Sequence, residues 1–338
     1  MRKVLDFLTF SIVLISVLLP SSIEKNIDNW LILVLGLLRI ATMRLRYKSL
    51  LYCLILVSPL YIFDPLMLLY VLAMIFGRFD WTNYRPLFSL TALFVGVQLV
   101  LGTYLASSLS LETVEGLRLK TSFGGPNTSG LYIVSVATIV LKSTWKGKID
   151  VSSFIALISL VLACFSLSRT ITVFSLILLS VYAYPIIKRR GAILLSFLLI
   201  SFPFIWNMDY SFINNLINRF NGETSYQSNI ERVNRASRGW SHFLDGSTFE
   251  ILKGRGLYTN QTEYLGALDF TLIPTHNTWL NILIESGLLG FLLFVMFFLF
   301  KIRYADNYFH QVSIVIMALL VMNTENIMAN YYLIFLIL

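Results

Sequence analysis

Long apolar runs separated by short basic segments organise this chain. They fall at about 4–20, 29–42, 50–63, 65–77, 87–106, 129–142, 152–167, 170–187, 191–206, 277–300, 311–323 and 326–338. Runs of this kind suit helices in hydrocarbon, where each backbone N–H and C=O has to be bonded within its own segment. The pattern predicts an all-α polytopic bundle of about twelve spans, several of them shorter than the roughly 20 residues of a perpendicular crossing. The pair meeting at Asp64-Pro65 reads alternatively as one kinked span, which gives eleven, or as a re-entrant hairpin. Charge decides for twelve. With the N-terminus inside, the inner segments then hold Arg2-Lys3, Arg44/Arg46/Lys48, Arg78/Arg85, Lys142/Lys146/Lys148, Lys188-Arg189-Arg190 and Lys301/Arg303. Merging residues 50–77 would throw half of these groups outside, against the preference of Lys and Arg for the cytoplasmic side.

The apolar pattern breaks once at length, over residues 207–275, which the same topology places outside as one large loop within a single membrane domain, 1–338. A loop of that size is functional or unstructured. Trp240, Phe243, Leu244, Phe249, Ile251 and Leu252 recur in it periodically, and predict an amphipathic helix from about Ile230 to Leu244, packed on the membrane or on the mouth of the bundle.

Composition agrees with the pattern: 57% hydrophobic and 13% charged residues do not fit inside one soluble core. The formal charge of +8 is largely accounted for by the inner loops, and no aromatic-basic motif for nucleic acid accompanies it. Cys53 and Cys164 stand alone inside apolar runs, so neither a disulfide nor a zinc framework is indicated. Arg2-Lys3 before an apolar run imitates a signal peptide, but Leu18-Leu19-Pro20-Ser21 is a poor cleavage site, and a retained first helix is expected. No period of 20 to 50 residues repeats, which counts against a transporter built from repeats.

Several cations fall on the outer side against the usual bias: Lys25, Arg118, Lys120, Arg169, Arg219, Arg232, Arg235, Arg238, Lys253 and Arg255. An anionic substrate there would explain them. Ser168-Arg169-Thr170 interrupts two apolar runs with almost no loop and leaves a guanidinium at membrane depth, a placement that costs roughly 2.5 to 3.5 kcal/mol unless a partner or lipid phosphate compensates. Residues 120–130 read KTSFGGPNTSG, in which glycines before a helix start suit either an anion-facing turn around Asn127 or a plain turn. At the exit of the large loop, THNTWLNILIESGLLG carries His276 and then Asn277, Asn281 and Glu285 at i, i+4 and i+8. Such a stripe is costly against lipid and is expected to face the interior. Glu285 there either orients a substrate hydroxyl or pairs with an arginine such as Arg169, or it locks helix packing. Gly287 and Gly290 permit close helix contact. Asn323, Glu325, Asn326 and Asn330 form a second outward polar cluster.

The order SFGGPNTSGL, then LSRT opening an apolar helix, then a large outer loop with NRASRGW and KGRGLYTN, then THNTWLNILIESGLLGFLLF resembles the Wzy-type O-antigen polymerase and WaaL-type O-antigen ligase superfamily of bacteria, from about Ser122 to the C-terminus. The resemblance implies a GT-C-like glycosyltransferase of the inner membrane. It would act at the periplasmic face on a glycan linked to undecaprenyl pyrophosphate, with no cofactor and no metal ion. The acceptor would be another lipid-linked repeat unit in a polymerase, or a lipid A-core sugar or a protein in a ligase. A chain-length regulator is a further partner in such systems. The absence of a DxD motif agrees with metal-free chemistry. Carried over by motif, the helix-opening arginine falls on Arg169, the loop arginine on Arg235 or Arg238, and the loop-end histidine on His276. The family's loop arginine precedes an aromatic by one helical turn, whereas Trp240 follows Arg238 by two residues and Arg235 by five.

The chemistry explains the residue types. A pyrophosphate leaves readily only if its growing charge is met, and guanidinium forks meet phosphate oxygens well. A neutral imidazole can take the proton of the attacking hydroxyl near neutral pH. The catalytic set expected is therefore His276, Arg169, Arg235 and Arg238, with Lys120, Asn127, Arg255, Asn277, Asn281, Glu285 and Glu325 contacting substrate. A flippase for lipid-linked sugars would also line a cavity with arginines, but it needs no folded outer loop ending at a base.

Overall fold

The computed structural model describes residues 84–108, 126–146, 149–166, 168–185, 223–255, 277–303 and 305–321, with Val4 and Leu8. Among them helix is the sole regular structure and no strand occurs. The helices are α1 (Arg85–Ser108), α2 (Pro126–Thr144), α3 (Val151–Ala163, running into a 3-10 turn at Cys164–Ser166), α4 (Arg169–Pro185), α5 (Glu223–Leu244), α6 (Thr248–Lys253), α7 (Thr278–Arg303) and α8 (Tyr308–Ile316, ending in a π turn at Met317–Val321). The runs predicted at 29–42, 50–63, 65–77, 191–206 and 326–338 lie outside the described residues, as do Lys120, His276 and Glu325. By length and apolarity Arg85–Gly102 can cross a membrane. The bent pair Thr278–Leu292 and Phe294–Arg303 adds a second such segment if it forms one span. Val151–Ser166, Arg169–Pro185 and Tyr308–Leu320 are apolar but shorter.

The chain divides into two units. One holds Arg85–Asn229 and Asp306–Ser313, with α2 at its centre. Tyr132, Ile133, Val134, Val136, Ala137, Val140 and Leu141 are all inaccessible, a run too dense for one face, so neighbours surround this helix on every side. Its hydroxyls are satisfied locally. Ser135 and Thr138 donate to the carbonyls of Leu131 and Val134, and Tyr132 Oη shares a 2.7 Å hydrogen bond with Thr91 Oγ1 of α1. Small residues set the spacing: a Cβ on Gly96 would lie 2.9 Å from Leu162 Cβ, and one on Gly130 would lie 2.8 Å from Ile171 Cγ2.

The outer faces of this unit are apolar and the inner ones carry the hydroxyls. On α3, Val151, Phe154, Ile158 and Val161 are exposed, while Ser152, Ser153, Ala156, Ser159 and Ala163 are buried. On α1 the exposed stripe is Leu87, Leu90, Phe94, Val97 and Leu101, at helical spacing. In water such stripes would drive association, whereas in hydrocarbon they cost nothing and packing falls to small and hydroxyl residues.

Polar contacts gather at one end of the unit. Arg85 Nη2 meets Asp150 Oδ2 at 2.7 Å, Lys142 Nζ meets Asp306 Oδ2 at 3.1 Å, and Asn307 Nδ2 donates to the Lys142 carbonyl at 2.6 Å. Thr144 Oγ1 lies 2.7 Å from Ser153 Oγ and 3.0 Å from Tyr182 Oη. The starts of α1, α3 and α8 therefore share an end with the finishes of α2 and α4, and these are segments that the charge pattern assigns to one side. Asp150 also caps α3, accepting from Ser153 N at 2.8 Å. Burial would raise its carboxyl, but the Ser153 and Arg85 hydrogen bonds outweigh it and hold the group below its ordinary value.

The second unit includes Ile230–Ala305 and Ile314–Leu338. Here the structure departs from the single apolar helix expected over 277–300. Gly287 takes a non-helical conformation, φ 66° and ψ −173°, and breaks α7. Beyond the break the chain folds back, bringing Phe291, Phe294 and Phe298 to centroid distances of 5.9, 5.6 and 5.4 Å from Trp279. In a straight helix those residues would lie about 18 to 28 Å further along. Trp279 Nε1 is satisfied by the Ala318 carbonyl at 2.8 Å.

Helix α6 meets the break. A Cβ on Gly254 would fall 2.2 Å from the Glu285 carbonyl oxygen, and one on Gly287 would fall 2.3 Å from Gly254 N. The two glycines therefore stand backbone to backbone, as the sequence expects of Gly287. Arg255 N donates to the Ile284 carbonyl at 3.0 Å, a group that the helix break has deprived of its i+4 partner. Around this clasp Phe243 of α5 packs with Leu280, Leu283 and Ile284, flanked by Ala236, Ile251 and Phe291.

Gly254→Ala or Gly287→Ala places a Cβ at positive φ against backbone, at a cost of about 1 to 3 kcal/mol. Residues 244–256 should become protease-sensitive in either variant, and unchanged resistance would refute the clasp. Because the folded Asp150 value is depressed, its contribution is present above the unfolded value near 3.8 and is lost as pH falls through the folded value beneath it. Acid melting of Asp150→Asn should accordingly lose part of the wild-type pH dependence in that range.

Candidate functional site

Helix α5 carries the densest cationic surface among the described residues. Arg232, Arg235 and Arg238 recur every three residues on a continuous helix that starts seven positions before the predicted Ile230. At about 100° per residue they share a broad flank with His242. Ala236 and Phe243, which dock on α7, form the next face round. Val233, Trp240 and Leu244 form the opposite, exposed flank. One helix thus carries three faces: a docking face, a cationic face and an apolar one.

A short reversal follows. Ser247 caps α6 with a full capping box: its Oγ accepts from Glu250 N at 3.3 Å, and its own N donates to Glu250 Oε2 at 2.7 Å. Those bonds to the Ser247 amide and hydroxyl hold the Glu250 carboxyl below its ordinary range, with Arg255 and His242 adding to the effect. Gly254, at φ 86°, ends α6 and aims Arg255 back toward α5. Arg255 Nη1 lies 3.3 Å from His242 Nδ1 and 3.2 Å from Nε2. A guanidinium has no acceptor, so in this contact the arginine donates and the imidazole ring accepts.

Along α7 the predicted polar stripe is formed. Asn277 Oδ1 accepts from Leu280 N at 3.0 Å and so caps the helix. Asn281 is buried, and Glu285 is half-buried with its carbonyl against Gly254. His276 immediately precedes the cap and lies outside the described residues.

The other unit presents a second group. Asn127 stands in the first turn of α2 and Arg169 opens α4, both half-buried. They share an end of the bundle, since Gly130 packs on Ile171 and on Ser166. The turn is tight. Ser166 Oγ accepts from Ser168 N at 3.3 Å, and the Ser168 carbonyl accepts from Thr172 N at 2.9 Å, so α4 begins at once with Arg169 in its first turn. This is the end opposite Arg85, Lys142 and Asp150.

Arg235, Arg238, Arg255, Asn277, Asn281 and Glu285 thus fall within one unit, and Asn127 and Arg169 within the other. The contact of His242 with Arg255 is not foreseen from sequence, where His242 is one more polar residue of the loop. The signal is the arginine inside Gly254-Arg255-Gly256, where the glycine turn fixes its direction.

Comparison with known proteins gives one finding. Residues 154–295, from α3 through the broken α7, match the Wzy_C family model, described as O-antigen ligase. No curated protein and no solved structure matches the chain. The match contains Arg169, the α5 arginines, the glycine clasp and His276, and it supports the resemblance of this stretch to the O-antigen polymerase/ligase superfamily.

Proposed function

We propose that the chain is a multi-pass glycosyltransferase of the bacterial inner membrane that polymerises undecaprenyl-pyrophosphate-linked repeat units at the periplasmic face without a metal ion. The observation that carries this reading is α5, an arginine-bearing helix packed through Phe243 on α7 beside the Gly254–Gly287 clasp of α6, on the segment that Asn277 caps and His276 precedes in sequence, all within the stretch matching the family. The apolar outer stripes of α1 and α3 support the membrane setting.

In this mechanism an acceptor hydroxyl attacks the anomeric carbon of the donor glycan, and its proton passes to His276. The bond from that carbon to the pyrophosphate oxygen breaks with inversion. Arg169, Arg235 and Arg238 meet the charge growing on the departing undecaprenyl pyrophosphate, where charge-assisted bonds are worth most. Lys120, Asn127 and Arg255 extend the anion contacts, while Asn277, Asn281, Glu285 and Glu325 orient sugar hydroxyls. A ligase reading, with a lipid A-core or protein acceptor, shares every step but the last partner and fits the family match equally. In a strain lacking the gene, loss of a polymerase leaves single-repeat caps on the surface lipid. Loss of a ligase leaves none.

Arg235→Ala and Arg238→Ala should each slow transfer in the purified protein by about 10- to 100-fold, the equivalent of about 1.5 to 3 kcal/mol per charge-assisted bond. Unchanged rates in both would contradict the role. His276→Ala should retain donor binding and form no glycosidic bond, and chelator should leave wild-type transfer intact. Chelator-sensitive transfer contradicts the metal-free route, and lipid-linked glycan that still crosses the bilayer in His276→Ala, with no transfer by the wild type, identifies a flippase instead.

A further inference from the structure

The outer helical hairpin has an apolar surface that the docking on α7 does not use. On α6 the side chains of Phe249 and Leu252 are 66% and 42% exposed, one turn apart. Lys253 Nζ lies 4.4 Å over the Phe249 ring. On α5, Trp240 and Leu244 are exposed on the flank opposite the arginines.

The broken span supplies the context. Before Gly287, Thr278, Leu280, Asn281, Ile282, Leu283, Ile284 and Ser286 are all buried. After it, Leu288, Leu289, Leu292, Met296 and Leu299 are exposed. The chain therefore passes from protein interior to an outward apolar face at the glycine clasped by α6. Leu252 lies at that boundary, because a Cβ on Gly287 would stand 2.4 Å from the Leu252 carbonyl oxygen. The backbone of α6 thus adjoins α7 at the residue after which the exposed leucines of α7 begin.

We propose that this surface is seated in the boundary layer of the bilayer, with phospholipid chains covering Phe249, Leu252, Leu288 and Leu289 and a headgroup phosphate meeting Lys253. Three observations fit this occupant. The backbone of Leu252 stands against Gly287, where the outward apolar face of α7 begins. Lys253 folds over an exposed ring, as an interfacial cation does when its stem lies on apolar surface and its charge reaches phosphate. Trp240 adds an exposed indole to the same hairpin, and indoles favour the headgroup level. The consequence is positional. An anchored hairpin carries its opposite, cationic flank at the height where a lipid-linked pyrophosphate emerges from the membrane. This rests on the membrane reading proposed above.

The test uses the full-length protein in lipid nanodiscs, with Cys53 and Cys164 replaced by alanine and a bimane label at Leu252→Cys. Lipids carry a nitroxide either near the glycerol or near the chain end. Bimane at 252 should be quenched several-fold more by the shallow nitroxide than by the deep one. A label at Met296→Cys should favour the deep nitroxide, and one at Arg238→Cys should respond to neither. Phe249→Cys repeats the measurement should Leu252→Cys fold poorly. A buried but unquenched label at 252 and 249 overturns the proposal in favour of another segment of this chain. Disulfide-linked dimers through these positions overturn it in favour of a second copy. If the label at 296 is also unquenched by either lipid, it is the membrane reading itself that has failed.

Discussion

The contact on which the second unit depends is the approach of two backbones at Gly254 and Gly287. Neither position has room for a Cβ, and both glycines lie at positive φ. Breaking α7 there frees buried carbonyls that need another donor, and the amide of Arg255 takes one of them. The same bond fixes Arg255, whose side chain then reaches His242. A helix break, a loop anchor and the Arg255–His242 contact follow from one close approach.

The first unit solves a different problem with similar means. Its central helix is buried on all sides, and the hydroxyls on it bond back to their own turn. Its neighbours turn their small and hydroxyl residues inward and their large apolar residues outward. Charges are kept to the ends, with Arg85, Lys142, Asp150 and Asp306 paired at one and Arg169 opening α4 at the other. The groups gathered at the first end are among those that the sequence expectation puts together on one side, and Arg169 is not.

Helix positions were the most legible property of the sequence, because apolar runs and amphipathic spacing are local. The run at 129–142 became Pro126–Thr144, and the loop helix expected from about Ile230 to Leu244 became Glu223–Leu244. The fold-back of α7 was less legible. Gly287 within an apolar run reads equally as a packing glycine in a straight span, and only the Gly254 backbone against it decides for a break. Asn277 shows the same ambiguity in a single residue, since it belongs to the polar stripe of the site and also caps the helix. The pairing of His242 with Arg255 was not legible, because it depends on the direction in which a positive-φ glycine sends the chain.

The central claim is that the cationic flank of α5 receives the pyrophosphate of a lipid-linked glycan. Photolabelling with an undecaprenyl pyrophosphate analogue that carries a diazirine next to the diphosphate tests it most directly. The account predicts adducts in the peptide spanning residues 230–255 and around Arg169, displaced by unlabelled donor. Adducts confined to the end that holds Arg85, Lys142 and His310, with none on α5, would contradict it.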